Sequence, residues 1–84
     1  MKAYALFQQY AWLVNTIYRA GKITLEQINR RWLNTEMSGG VDIPRSTFNR
    51  HRDAILNMFG IIIECDKKDG FRYYIYNAEV LEED

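Results

Sequence analysis

Cysteine and histidine each occur once in this chain, as Cys65 and His51. A single cysteine excludes an intrachain disulfide. One Cys and one His also fall short of the four-ligand set of an ordinary zinc site, so no metal is expected. Cys65 lies in an apolar stretch and reads as a buried structural thiol. Long apolar runs are missing. Stretches such as Ile61-Ile62-Ile63 are far too short to span a bilayer. The start Met1-Lys2-Ala3-Tyr4 has no signal-peptide layout, because Gln8, Gln9 and Asn15 interrupt any hydrophobic region. A cytoplasmic location without a membrane partner is the expectation. Catalytic groupings are missing as well. No Ser-His-Asp or Cys-His arrangement has sequence support, the acidic residues fall on surface-like positions, and Ser38-Gly39-Gly40 lacks the following Lys and the preceding strand of a phosphate loop. Neither an enzyme nor a cofactor is expected.

Net charge is also absent, with 11 basic and 11 acidic side chains. A zero total at first argues against a polyanionic partner, but the distribution reverses that reading. Residues 77–84 hold Glu79, Glu82, Glu83 and Asp84 and no base. Residues 1–76 therefore keep all 11 basic side chains against seven acidic ones, a net charge of +4. Charge asymmetry along a chain is more telling than its sum. The division expected from it is one domain over residues 1–76, with residues 77–84 an acidic tail or the start of a linker.

Aromatic residues are abundant: two Trp, six Tyr and four Phe in 84 residues. This excludes disorder for most of the chain. A domain this short buries only ~60–65% of the surface its unfolded form exposes, so each large apolar side chain counts.

Helical periodicity runs over residues 3–19, where Leu6, Tyr10, Leu13 and Ile17 recur at three- and four-residue spacing and Val14 widens the stripe. Gly21 suits the left-handed position that ends a helix. Thr24 with Gln27 forms a capping-box pattern, and Ile23 is placed to staple onto Ile28. A second helix is expected over residues 25–35, burying Leu25, Ile28 and Trp32. Residues 34–42 read as a loop, longer than the turn of a minimal helix-turn-helix. Its Gly39-Gly40 pair is expected to leave the angle between the flanking helices open. Pro44 fits the start of a third helix, where its missing N–H costs nothing, and Gly60 stops that helix after Phe59. Residues 61–66 form a strand pattern, Asp69-Gly70 a hairpin signal, and residues 71–76 the returning strand. Strand alternation sets Phe71, Tyr73 and Ile75 on one face and Arg72, Tyr74 and Tyr76 on the other. The expected fold is α+β, a winged helix-turn-helix of three helices followed by a two-stranded hairpin wing. Ile17, Ile28, Trp32, Phe48, Ile55 and Phe59 are its expected core.

The third helix carries the functional signal. Phe48 and Ile55 give it a face that packs on a core. Arg45, Ser46, Thr47, Asn49 and Arg50 crowd its first turns. Such side chains hydrogen-bond base edges and phosphates, and a helix of this kind fits a major groove. Arg45, Ser46, Asn49 and Arg50 are the expected base or phosphate contacts, and Thr47 caps the helix or holds a phosphate. Lys67 and Lys68, at the hairpin tip, are expected on the DNA backbone. Arg30 and Arg31 are either phosphate anchors or the solvated side of the second helix. Arg45, Arg50 and Arg52 also admit the plainer reading of a solvated helix face. His51 lies at the edge of the buried face and reads better as a packed histidine than as a base reader.

The segment IPRSTFNRHRDAILNMFGIIIECD resembles the recognition helix and wing of bacterial WYL-domain transcriptional regulators, whose N-terminal winged helix is akin to that of the deoxyribose-operon repressor group. YAWLVNTIYRAGKITLEQINRRW looks like the first two helices of that domain, and DGFRYYIYN like its second wing strand. The resemblance runs from about residue 4 to 77. It implies that Thr47 and Arg50 face DNA and that Phe59-Gly60-Ile61 joins helix to wing. Two features depart from the family: the loop before Pro44 is longer, and the C-terminal sensing domain is absent from this chain. Sequence-specific binding of double-stranded DNA for transcriptional regulation is the expected function. Phe7, Trp12 and Tyr18 are not all needed on the packed face of the first helix. They make a homodimer, or docking on a sensing domain, an expected partnership. They also support the alternative of a winged helix used for protein–protein interaction. A row of exposed hairpin tyrosines would instead point to single-strand or RNA binding.

Overall fold

The computed structural model describes residues 2–82. The chain forms α1 (Lys2–Ala20), α2 (Leu25–Trp32), a 3-10 turn at Glu36–Ser38, α3 (Arg45–Phe59), β1 (Ile63–Asp66), β2 (Arg72–Ile75) and a second 3-10 turn at Ala78–Leu81. The architecture is α+β, three helices followed by a two-stranded antiparallel hairpin. Its register pairs Ile63 with Ile75, Glu64 with Tyr74, Cys65 with Tyr73 and Asp66 with Arg72.

Local chemistry sets most element ends. Gly21 (φ 79°) follows α1 and Gly60 (φ 69°) caps α3, both in the left-handed region that L side chains avoid. At the start of α2, the Thr24 hydroxyl accepts from the Gln27 N–H at 3.1 Å, and the Gln27 side chain accepts from the Thr24 N–H at 3.1 Å. The expected capping box is thus formed.

The hydrophobic stripes of the three helices meet the inward face of the hairpin. Leu13, Ile17, Ile23, Ile28, Phe48 and Ile55 are fully buried. Each contributes ~1.5–3 kcal/mol of burial, a large share for so small a domain. Phe48 meets Tyr73 edge-on at 4.7 Å and Trp12 meets Trp32 at 5.1 Å. Ile23, in the α1–α2 corner, pairs with Tyr73: its N–H donates to the Tyr73 carbonyl at 3.0 Å, and its carbonyl accepts from the Tyr73 N–H at 2.7 Å. The hairpin is therefore stitched to the helices by backbone hydrogen bonds as well as by packing.

Five of the six expected core residues, Ile17, Ile28, Trp32, Phe48 and Ile55, are buried. The sixth, Phe59, is 39% exposed, and so is Leu6 at 41%. Phe59 ends its helix, where the chain leaves the core, and meets exposed Phe7 edge-on at 5.5 Å. Cys65, expected buried, is half-buried against the core.

Several boundaries also differ from expectation. α2 stops at Trp32 instead of residue 35, because the chain turns so that the Trp32 indole N–H donates to the Val41 carbonyl at 3.0 Å. Strand pairing begins at Ile63, since the Ile62 N–H is taken by the Asn77 side chain at 2.9 Å. Phe71 does not join the inward face of β2. The hairpin turn is longer than Asp69-Gly70 alone: the Arg72 N–H donates to the Asp69 carbonyl at 3.3 Å around Gly70 (φ 64°) and Phe71 (φ 58°). That conformation turns Phe71 outward, to 54% exposure. For a bulky L residue it costs on the order of 1–2 kcal/mol.

The stretch expected as an acidic tail is docked as far as Glu82. Asn77 also donates to the Gly60 carbonyl at 2.8 Å, Ala78 and Leu81 pack against the core, and the Tyr18 hydroxyl donates to Glu82 at 3.1 Å. Glu83 and Asp84 lie outside the described residues.

Candidate nucleic-acid interface

Helical geometry divides α3 into two faces. Phe48, His51 and Ile55 point inward, while Ser46, Asn49, Arg50, Asp53 and Asn57 fall at three- and four-residue spacing on the exposed side. Ser46, Asn49 and Arg50 thus share one outward face, as expected, and Asp53 brings a negative charge to its middle. Pro44 is the N-cap, and no side chain caps the helix. The first turn holds no acidic residue. The open N–H groups and the helix dipole give this end a positive potential. Thr47 does not cap the helix. It is half-buried, one turn in, and its hydroxyl accepts from Arg50 at 3.2 Å, which steadies the guanidinium against the helix.

Arg45 stands at the flank of this face. It is exposed, and its guanidinium reaches the Tyr73 hydroxyl at 3.4 Å. With Thr24, Leu25, Glu26, Gly70, Phe71 and Tyr73 it lines a shallow cleft between the start of α3, the start of α2 and the hairpin tip. The hairpin tip therefore sits beside the N-terminal end of α3. Lys67 and Lys68 are exposed in the same turn, and among the described residues neither pairs with a carboxylate.

Three features hold this surface in place, and sequence reasoning had assigned none of them. Arg52, one turn after Phe48, donates through Nε and Nη2 to the Ile63 carbonyl at 3.0 and 2.6 Å. Its guanidinium also lies 5.2 Å from the Tyr73 ring centre and donates to Asn49 Oδ1 at 3.2 Å. Arg52 thus joins α3 to β1 and orients Asn49, and is not a solvated surface residue. Next, Asn29 grips the backbone ahead of α3: its Nδ2 donates to the Ile43 carbonyl at 3.0 Å, and its Oδ1 accepts from the Ile43 N–H at 2.8 Å. Together with the Trp32–Val41 bond, and with Ser38 buried in the loop, this fixes the long connection. The freedom expected from Gly39-Gly40 is therefore absent, because side chains from α2 satisfy the loop's backbone. No local periodicity flags an Asn in that role.

Lys22 is the third holding point. It bridges Asp66 at 2.9 Å and Asp69 at 3.7 Å and lies 5.3 Å from the Tyr74 ring centre. The Asp66 carboxylate raises the pKa of Lys22, and the ammonium in turn lowers that of Asp66. These pairs neutralise the acidic residues at the base of the turn, and Arg72 pairs with Asp69 at 3.4 Å. Arg30 is exposed and paired with Glu26 at 2.7 Å, while Arg31 is exposed without such a pair among the described residues. His51 packs inside, edge-on to Tyr10 at 5.3 Å, and its Nε2 has no hydrogen-bond partner among the described residues. Burial first, and the nearby Arg50 charge second, lower its pKa below 6.5.

A second surface lies along α1. Tyr4, Phe7 and Tyr18 are exposed there, with Met58 and Phe59 from the end of α3. A groove of about 390 Å³ continues it between Ala11, Val14, Tyr18, Phe59, Ile61 and Leu81. No group of three or more His, Cys, Asp or Glu side chains suited to a metal occurs among the described residues. No described helix is long and apolar enough to cross a membrane. Compared with protein-family models, curated proteins and solved structures, the chain matches none of them.

Proposed function

We propose that this chain is a winged-helix domain that binds double-stranded DNA sequence-specifically in transcriptional regulation, in the manner of the bacterial WYL-domain regulators it resembles. In this reading α3 enters the major groove. Asn49 and Arg50 reach base edges, and Ser46, Thr47 and Arg45 hold phosphates or flanking bases. Lys67 and Lys68 meet the backbone from the hairpin, and the protein works in the cytoplasm. One observation carries the proposal: an outward helix face of Ser46, Asn49 and Arg50, with an open N-terminus, stands beside a hairpin tip whose two lysines have no acidic partner among the described residues. The hairpin tyrosines give no support to single-strand stacking, since Tyr73 is buried, Tyr74 half-buried and only Tyr76 fully exposed.

The apolar surface on α1 serves a second copy of the chain in this proposal. Exposed apolar patches of this kind mark contact sites. A twofold pairing through α1 would set two α3 helices about one turn of DNA apart, ~34 Å, on a palindromic site. The same exposed Phe7, Tyr18 and Phe59 favour the second reading, a winged helix that binds a protein and not DNA. A C-terminal sensing domain outside this chain is the alternative occupant.

Fluorescence anisotropy against a labelled duplex of ~20 base pairs, two helical turns, selected from a randomised pool, tests the proposal. With ~4–6 phosphates contacted, log K should fall against log salt with a slope of about −4 to −5. Asn49→Ala and Arg50→Ala should lower discrimination between duplexes by ~1–3 kcal/mol, whereas Lys67→Ala and Lys68→Ala should weaken all duplexes equally. Binding that ignores salt would leave the protein-contact reading standing.

A further inference from the structure

Phe71 is the residue the proposed contact with DNA leaves unexplained. It is the only residue other than glycine with a positive φ among the described residues. A bulky side chain is uncommon in that region, and it usually persists where the surroundings hold it for a purpose. The strain here does not bury the ring, which is 54% exposed at the tip of the hairpin. A glycine or asparagine would fit the turn without strain. The neighbourhood is basic on the outside. Lys67 and Lys68 precede the ring and Arg72 follows it, while Asp66 and Asp69 are already occupied by Lys22 and Arg72. Phe71 also lines the cleft that holds Arg45, at the N-terminal flank of α3.

We infer that Phe71 is an apolar wedge that enters the DNA minor groove beside the segment read by α3. This rests on the proposal that α3 occupies the major groove. A helix in the major groove brings whatever flanks its N-terminal end to the adjoining phosphate backbone, and the minor groove lies just beyond. The lysines hold the adjoining phosphates, and the ring presses between two base pairs. Aromatic and aliphatic wedges of this kind part a base step and kink the duplex toward the major groove by ~20–90°. The cost of opening a step depends on its sequence, and it is least at flexible TA and CA steps. Phe71 therefore reads deformability at one step outside the stretch touched by α3. Rigid mounting of the tip suits that role: the Lys22 ion pairs and the Ile23–Tyr73 backbone bonds tie the hairpin to the α1–α2 corner.

The test uses Phe71→Asn, which keeps the left-handed turn accessible, with Phe71→Tyr as the conservative control. The probe is the selected ~20-base-pair duplex, labelled at both ends so that energy transfer reports bending. Its flanking step is TA in one version and lies within an A-tract in another. Wild type should bend the TA duplex and bind it about tenfold more tightly than the A-tract version. Phe71→Asn should bind both equally, leave them straight and keep the sequence preference set by Asn49 and Arg50; Phe71→Tyr should restore bend and preference. Bending and step preference that survive in Phe71→Asn would overturn the inference alone. A wild-type domain with no salt-dependent binding to any duplex would overturn the DNA-binding reading and this inference with it.

Discussion

Replacing Asn29 with Ala removes both hydrogen bonds that its side chain makes to the Ile43 backbone, at 2.8 and 3.0 Å. Ile43 itself is 3% exposed, so water cannot easily take over the orphaned N–H and carbonyl. A hydrogen bond is worth ~0.5–1.5 kcal/mol net, and an unsatisfied buried group costs ~1–3 kcal/mol. Because the Asn29 side chain is only partly buried, the lower range applies to each of the two bonds, giving a loss of about 1–3 kcal/mol. For a domain of this size each kcal/mol moves the melting temperature by ~4–8 °C, so a fall between roughly 4 and 24 °C is expected. Urea melts followed by circular dichroism should show a lower midpoint with an unchanged slope. Asn29→Asp keeps the acceptor for the Ile43 N–H and loses only the donor, so it should fall about halfway. The same change frees the connection ahead of α3, so DNA affinity measured well below the melting temperature should also drop. A loss under about 0.5 kcal/mol, the range of an ordinary surface substitution, would show that the Gly39-Gly40 connection does not depend on Asn29.

Other perturbations follow from the same geometry. Arg52→Lys keeps the charge but cannot supply Nε and Nη2 together to the Ile63 carbonyl, so it should destabilise by ~1–2 kcal/mol in urea melts. By releasing Asn49 it should also blunt discrimination between duplexes more than Asp53→Asn does. The His51 pKa is lowered in the folded state, so the unfolded chain binds more protons in the window below 6.5. Stability is then full above that value and declines as pH falls from 6.5 toward the folded pKa; urea midpoints that decline equally in His51→Leu would assign the pH dependence elsewhere. Sedimentation at tens of micromolar should show a dimer that Phe7→Glu or Phe59→Glu disperses; a wild-type monomer would remove the second copy and leave DNA binding by single domains.

Much of the fold was legible in the chain because it is local. The Thr24–Gln27 box, the glycines after α1 and α3, and the apolar stripe of Leu13, Val14 and Ile17 are each decided within a few residues, so short-range geometry suffices to place them. The outward direction of Ser46, Asn49 and Arg50 follows in the same way from helical spacing once Phe48 and Ile55 are buried. Tertiary structure alone decided what depends on partners far along the chain. Asn29 bonds 14 residues ahead, Arg52 11 residues ahead and Asn77 17 residues back, each satisfying a backbone group that no local pattern leaves open. The same dependence turned Arg52 from a surface charge into a brace, docked Leu81 of the expected tail against the core, and left Phe59 half outside it. Phe71 is the sharpest case. Alternation along β2 sends it inward, but the turn, closed by its own hydrogen bond around two left-handed residues, sends it out, a backbone path that strand alternation does not register.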